Sequence, residues 1–294
     1  MSIDTTLLQI LFAGLGTGAI YALIAVGFNI IFKSTGALNF TQGEWVMIGG
    51  MVAAASFRSG SEIVWLACLI ATLAVALVGF FSDWIVIRNL RKNDAFSITL
   101  VSVGLALASK GLVMITLGKN PQGYPGLSGD RLVTIMGATV HMQTIWILAL
   151  TLVLMILTHI FFNKTRLGTA MRAAAANPQA AALVGISHRK IVTVSFVMAA
   201  AVGGIAGTMI TPLTLMSYES GAMLGFKGFS AAMLGGLGSL YGAAAGGLLL
   251  GLIESFVGTY LTSQFKDAAA FFVLLTILIV RPQGLLGSAE INKV

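Results

Sequence analysis

The sequence predicts an all-α integral membrane protein of about eight or nine transmembrane or half-crossing helices. Three observations carry that expectation. Of 294 residues, 57% are hydrophobic and only 9% are charged, against roughly 25% charged in a soluble domain. Apolar runs close to the ~20 residues that cross a bilayer recur along the chain. Glycine is abundant, at 35 residues, as in helices that pack within lipid. A net charge of +7 in a soluble chain would suggest nucleic acid. Here it reads as basic loops on one side of a membrane, so lipid is an expected partner and nucleic acid is not.

Taken in order, the long apolar runs are residues 7–32, 63–87, 95–117, 143–162, 191–215 and 241–260. Shorter runs are residues 43–57, 226–237 and 268–280. The short ones read as tilted or half-crossing pieces, which are tolerated where backbone is buried in protein or lines a cavity. The opening "MSIDTTLLQI" lacks the basic region of a signal peptide, so the first run is expected to be retained as a span. Cys68 is the sole cysteine, which leaves no internal disulfide. Between residues 118 and 143, "GKNPQGYPGLSGDRLVTIMGATVHMQ" has turn composition.

Lysine and arginine set the orientation. With the N-terminus outside and nine alternating segments, the inside set is Lys33, Arg88, Arg91, Lys92, Lys164, Arg166, Arg172, Arg189, Lys190, Arg281 and Lys293. The outside set is Arg58, Lys119, Arg131, Lys227 and Lys266. The excess falls inside, as the positive-inside rule requires. Residues 163–190 are then cytoplasmic, and residues 1–294 read as one membrane domain.

That cytoplasmic stretch holds a helix with its own start and stop. Asn177 suits an N-cap, Pro178 the first helical position, and Gly185 the end. About two turns are marginal alone and need a packing partner. Ala180, Ala181, Ala182, Leu183, Val184 and Ile186 offer a small apolar surface. It lacks the bulky apolar and charged faces of a lipid-surface helix, so docking to a cytoplasmic protein is the better expectation.

Other polar features sit within apolar surroundings. In "LNFTQGEWVMIGG", Asn39, Thr41, Gln42 and Glu44 cluster between two apolar runs. The cluster reads either as a polar lining of a substrate path or as a short loop with Glu44 at a helix N-terminus. "MLGGLGSLYGAAAGG" reads as a tight reversal between two membrane helices, with close backbone approach as the alternative. The pairs Gly14/Gly18, Gly203/Gly207, Gly242/Gly246 and Gly247/Gly251 put two glycines on one helix face, for tight packing or a moving seam. Asp83, Lys110 and Glu254 lie in spans, as structural ion pairs or as a charge relay.

Catalytic signatures are missing. His141, His159 and His188 lie in separate regions and no nucleophile elbow occurs. The Gly118-Lys119 pair is followed by Asn120, with Val113 where a phosphate-binding loop needs its first glycine. The chain is therefore not expected to be an enzyme, to bind a metal or to bind ATP by such a loop.

These segments, in this order, resemble the permease subunits of ATP-binding-cassette importers for branched-chain amino acids. "GAIYALIAVGFNIIFKSTGALNFTQGE" is similar to that family's first helix and its Asn-Phe-x-x-Gly-Glu element. "GTAMRAAAANPQAAALVGI" resembles its ATPase-contacting loop, and "KGFSAAMLGGLGSLYGAAAGGLLLGLIE" with "RPQGLLG" its C-terminal third. Thr41-Gln42 stands where the family often has Ala-His; relatives carry urea, short amides or aromatic acids. The resemblance implies a type II importer permease fold in a bacterial inner membrane. It implies a second homologous permease, two cytoplasmic ATPase subunits that hold ATP and magnesium, and a periplasmic solute-binding protein. It makes residues 173–186 a coupling helix, with Arg172, Asn177, Pro178, Ala181, Ala182, Leu183 and Gly185 at the ATPase contact. An ion-gradient-driven secondary transporter is the alternative.

Overall fold

The computed structural model describes residues 3–59, 63–90, 94–262 and 264–287; Arg91, Lys92 and Lys293 of the basic set lie outside them. Among the described residues the order is α1 (Ile3–Thr35), α2 (Gln42–Arg58), α3 (Val64–Phe81), α4 (Ala95–Thr116), a hairpin of β1 (Leu132–Ile135) and β2 (Ala138–His141), α5 (Met142–Lys164), α6 (Arg166–Ala176), α7 (Pro178–Leu183), α8 (His188–Thr214), α9 (Ser220–Gly235), α10 (Leu240–Tyr260) and α11 (Phe265–Val280). Six helical stretches are long and apolar enough to cross a membrane: Thr5–Thr35, Val64–Asn89, Ala95–Thr116, Met142–Lys164, His188–Thr214 and Leu240–Tyr260. They coincide with the six long runs. Helices α2, α9 and α11, of 17, 16 and 16 residues, are the shorter pieces.

The core is a bundle of α1, α2, α8, α9 and α10. Lipid offers no hydrophobic drive for helix association, so close backbone packing must supply it. Glycine makes that packing here. The Gly14/Gly18 face of α1 lies on the Gly247/Gly251 face of α10. A Cβ added at Gly251 would sit 2.3 Å from the Gly18 backbone. Gly203 and Gly207 of α8 pack on α2, and Gly242 and Gly246 of α10 pack on α9. All four glycine pairs are helix seams.

The "MLGGLGSL" reversal is realised between α9 and α10. Gly236 and Gly238 take φ of +107° and +78°, a region that favours glycine. Ser239 caps α10, its hydroxyl accepting from the Gly242 amide at 3.0 Å. Buried Asn29 of α1 staples the turn: its amide donates to the Ser239 carbonyl at 2.9 Å, and its oxygen accepts from the Gly238 amide at 3.0 Å. The turn, the end of α1 and residues 283–287 therefore meet at one end of the bundle.

Two features differ from the expectation. The region of turn composition contains the β1–β2 hairpin, paired from Leu132 opposite His141 to Ile135 opposite Ala138. Its turn is Met136-Gly137, both at positive φ. Lys227, expected in an outside loop, lies inside α9, because that helix begins at Ser220 rather than near residue 226. In addition, α3 ends in a π-helical turn, Ser82–Val86.

Candidate functional site

Helix α2 begins buried in the bundle, and α9 begins against it through the buried Gly221. Gln42, the first residue of α2, donates from Nε2 to the carbonyl of Ala199, near the midpoint of α8, at 3.1 Å. Gly43 lies against the backbone of Gly221 and Gly225 in the first turns of α9. Two helix N-termini thus converge beside the middle of α8, where their dipoles favour negative charge.

Residues 36–41 lead into that point, and the predicted polar cluster runs from Asn39 and Thr41 there into Gln42 and Glu44 of α2. Asn39, Thr41 and Gln42 are wholly buried. The Thr41 hydroxyl donates to the Ser102 carbonyl of α4 at 2.9 Å. The Asn39 side-chain oxygen accepts from the Thr41 amide at 3.2 Å. The Asn39 amide nitrogen and the Gln42 side-chain oxygen are buried without a partner. Burying such groups unpaired is costly, about 1–3 kcal/mol each.

Glu44 differs from the other three. It is 4% exposed, and its Oε2 has no hydrogen-bond partner. It opens on a cleft of about 420 Å³ between α2, α4 and α9. Phe40, Val103, Leu107 and Phe226 form apolar walls, and Lys110 of α4 supplies the cation. Lys110 stands over the Tyr218 ring at 5.4 Å rather than in an ion pair with Glu44. Gly221 makes room for the carboxylate, since a Cβ there would lie 2.3 Å from Glu44 Oε2. The cleft therefore presents an acid, a base and an apolar surface together. From sequence Lys110 reads only as a span charge, because nothing local places it opposite Glu44.

The three span charges do not pair with one another. Glu254 accepts from the Tyr21 hydroxyl at 2.7 Å and pairs with Lys227 at 3.3 Å. Lys227 also meets Asp267 at 2.7 Å, so one cation ties α9, α10 and α11 together. Asp83, in the π-turn, accepts from the Thr193 hydroxyl of α8.

At the end of the bundle that carries Lys33, the segment after α5 forms two helices. Thr165 caps α6, accepting from the Gly168 amide at 3.0 Å. Asn177 caps α7, accepting from the Ala180 amide at 3.0 Å, with Pro178 at the first helical position. Gly185 leaves at φ +83°. Ala181 is turned inward and buried. Ala182, Leu183 and Val184 face outward, Leu183 and Val184 being 89% and 76% exposed. Arg172 is exposed on α6, bonding to the Asn163 side chain at 3.3 Å. Arg172 therefore belongs to α6, whereas Asn177 to Leu183 form the cap and helix of α7.

A family model described as branched-chain amino acid transport system / permease component matches residues 10–280. The high-affinity branched-chain amino acid transport system permease protein LivH of Salmonella typhimurium is 31% identical, over 98% of this chain and 97% of that protein. Its counterpart BraD of Pseudomonas aeruginosa is 32% identical, over 98% of each. The fructose import permease protein FruF of Bifidobacterium longum is 25% identical, over 88% of this chain and 73% of that protein.

Proposed function

The chain belongs to the family of branched-chain amino acid transport system permease components, and from that premise we propose that it is one membrane-spanning half of an ATP-driven importer. Its substrate is a branched-chain amino acid or a related small polar or carboxylate solute. A second, homologous permease completes the pore. A periplasmic binding protein delivers the solute, and two cytoplasmic ATPase subunits hold ATP and magnesium. Residues 1–294 form one permease domain, with the coupling loop at about 163–190.

The observation that carries the substrate reading is the unpartnered Glu44 carboxylate facing Lys110 across an apolar cleft. A zwitterion with a branched side chain matches it group for group. Its ammonium meets Glu44, its carboxylate meets Lys110 and the start of α9, and its side chain meets Leu107, Val103 and Phe226. A transit site must hold solute weakly enough to release it. Two charged contacts on an open cleft fit that demand. Asn39, Thr41 and Gln42 build the floor that positions Glu44 beside the path.

The test is reconstitution in proteoliposomes with the ATPases, the sister permease and the binding protein. Uptake should need ATP on the ATPase side. Glu44→Gln should lower uptake at least tenfold while binding-protein affinity for solute stays unchanged. Solute accumulation by this chain alone, driven by a proton or sodium gradient, would overturn the importer reading. Full uptake by Glu44→Gln would remove the cleft from the path.

A further inference from the structure

A second cavity, of about 280 Å³, opens at the end of the bundle shared by α1, α5 and the α9–α10 turn. It takes no part in the path described above. Lys33, His159, Asn163, Ser239 and Tyr241 line it, and among the described residues no aspartate or glutamate does. Lys33 rests over the Phe162 ring at 5.3 Å. Arg172 reaches the pocket wall through Asn163. The Tyr241 hydroxyl lies 3.0 Å from the His159 ring. The Leu240 and Tyr241 amides, at the start of the 21-residue α10, have no acceptor among the described residues. A lysine, a histidine and a hydroxyl around one hollow at a helix start, with a second cation one hydrogen bond away through Asn163, suit a phosphate group.

Its surroundings indicate where the phosphate comes from. Leu152, Ile156, His159 and Asn163 share one face of α5, spaced four, three and four residues apart. Leu152 and Ile156 are exposed and apolar, leading from the pocket toward the middle of the bundle. On α10, Tyr241, Ala245 and Leu249 form a matching stripe, with Tyr241 62% exposed. Tyrosine beside basic residues at a helix end marks the level of lipid headgroups. Basic pockets between helices on the cytoplasmic side suit anionic headgroups.

We propose that this pocket binds the phosphate headgroup of an anionic phospholipid, whose acyl chains lie along the Leu152–Ile156 and Ala245–Leu249 stripes. The site sits beside α6 through Arg172, so its lipid touches the helix that leads into the coupling segment. The proposal stands independently of the transported solute.

The test is native mass spectrometry of the assembled transporter released from nanodiscs that contain phosphatidylglycerol and phosphatidylcholine. The wild type should retain phosphatidylglycerol preferentially. Lys33→Gln should reduce that retention about fivefold, the effect of roughly one basic residue at a lipid surface. Lys33→Arg should keep it, and Lys119→Gln, outside the pocket, should leave it unchanged. His159→Ala, on the open face of α5, should also lower retention and serves should Lys33→Gln fail to accumulate. Equal retention of the two lipids by the wild type would overturn the proposal, as would unchanged retention in both pocket variants. Displacement of the signal by millimolar inorganic phosphate, without lipid preference, would assign the site to free phosphate and overturn the lipid reading.

Discussion

Leu183→Ala should uncouple the permease from its ATPase without weakening the permease itself. Leu183 ends α7 and is 89% exposed, so in the isolated chain its side chain makes little contact. The substitution deletes three carbons. At ~0.8 kcal/mol per buried CH₂, docking of that side chain in a partner groove is worth about 2 kcal/mol, or roughly thirtyfold in affinity. Thermal stability of the permease should stay within about 0.5 kcal/mol, because a solvated side chain is being shortened. Ala181→Leu is the opposite case. Ala181 is buried, so added carbons overpack its site and should lower the melting temperature by an amount equal to about 1–3 kcal/mol. The assay is titration of the purified ATPase onto the permease in nanodiscs, run beside thermal unfolding of each variant. Leu183→Ala with wild-type ATPase affinity would refute the docking argument. A melting-temperature drop as large as that of Ala181→Leu would show that Leu183 is packed within the permease and not held ready for a partner groove.

Other perturbations separate seams from surfaces. Gly251→Ala pushes a Cβ to 2.3 Å from the Gly18 backbone, about 1 Å inside an ordinary contact. It should destabilise by about 1–3 kcal/mol in thermal unfolding, whereas Gly104→Ala, with open space around it, should change stability by less than about 0.5 kcal/mol. Lys227→Met leaves Glu254 buried beside Tyr21 without its cation, at a cost on the order of 3–5 kcal/mol. Adding Glu254→Gln should recover much of that loss, and strict additivity of the two variants would contradict the pairing. Single cysteines at 39, 42 and 44 in a Cys68→Ser background should differ: position 44 should react with a water-soluble thiol reagent faster than the enclosed positions 39 and 42.

What could be read from the sequence was local chemistry. Asn177, Pro178 and Gly185 bound a helix by capping and backbone freedom, each acting within a few residues, and the structure places that helix at Pro178–Leu183. The six long spans were equally legible, because membrane length and apolarity are properties of single segments. The hairpin was hidden because its turn is Met136-Gly137, with a residue that seldom takes positive φ. Lys227 was misplaced because "SGAMLGFKG" carries three glycines and looks like a loop. Its helix is held by contacts with Gly43, Ile24 and Glu254 from distant segments. Glu44 stood out as an ionisable group in an apolar setting, but the wall facing it did not. Lys110 comes from α4, and no local spacing relates the two.

Helix α8 has a mechanical property that follows from how it is gripped. It starts at His188, just after α7, and meets Gln42 at Ala199, a lever arm of roughly 16 Å at 1.5 Å per residue. A tilt of about 5° at its base displaces that point by roughly 1.4 Å over such an arm. The seam with α2 leaves no slack to absorb the motion, since a Cβ at Gly207 would meet the Val46 carbonyl at 1.9 Å. Glu44 therefore travels with α8. Lys110 rides on α4, which is mostly surface-exposed and is held to the segment before α2 by hydrogen bonds at Thr99 and Ser102 rather than by a glycine seam. If residues 163–190 take the push of an ATPase, a small rocking there would change the width of the cleft, and the stiffness of one glycine seam would set the gearing.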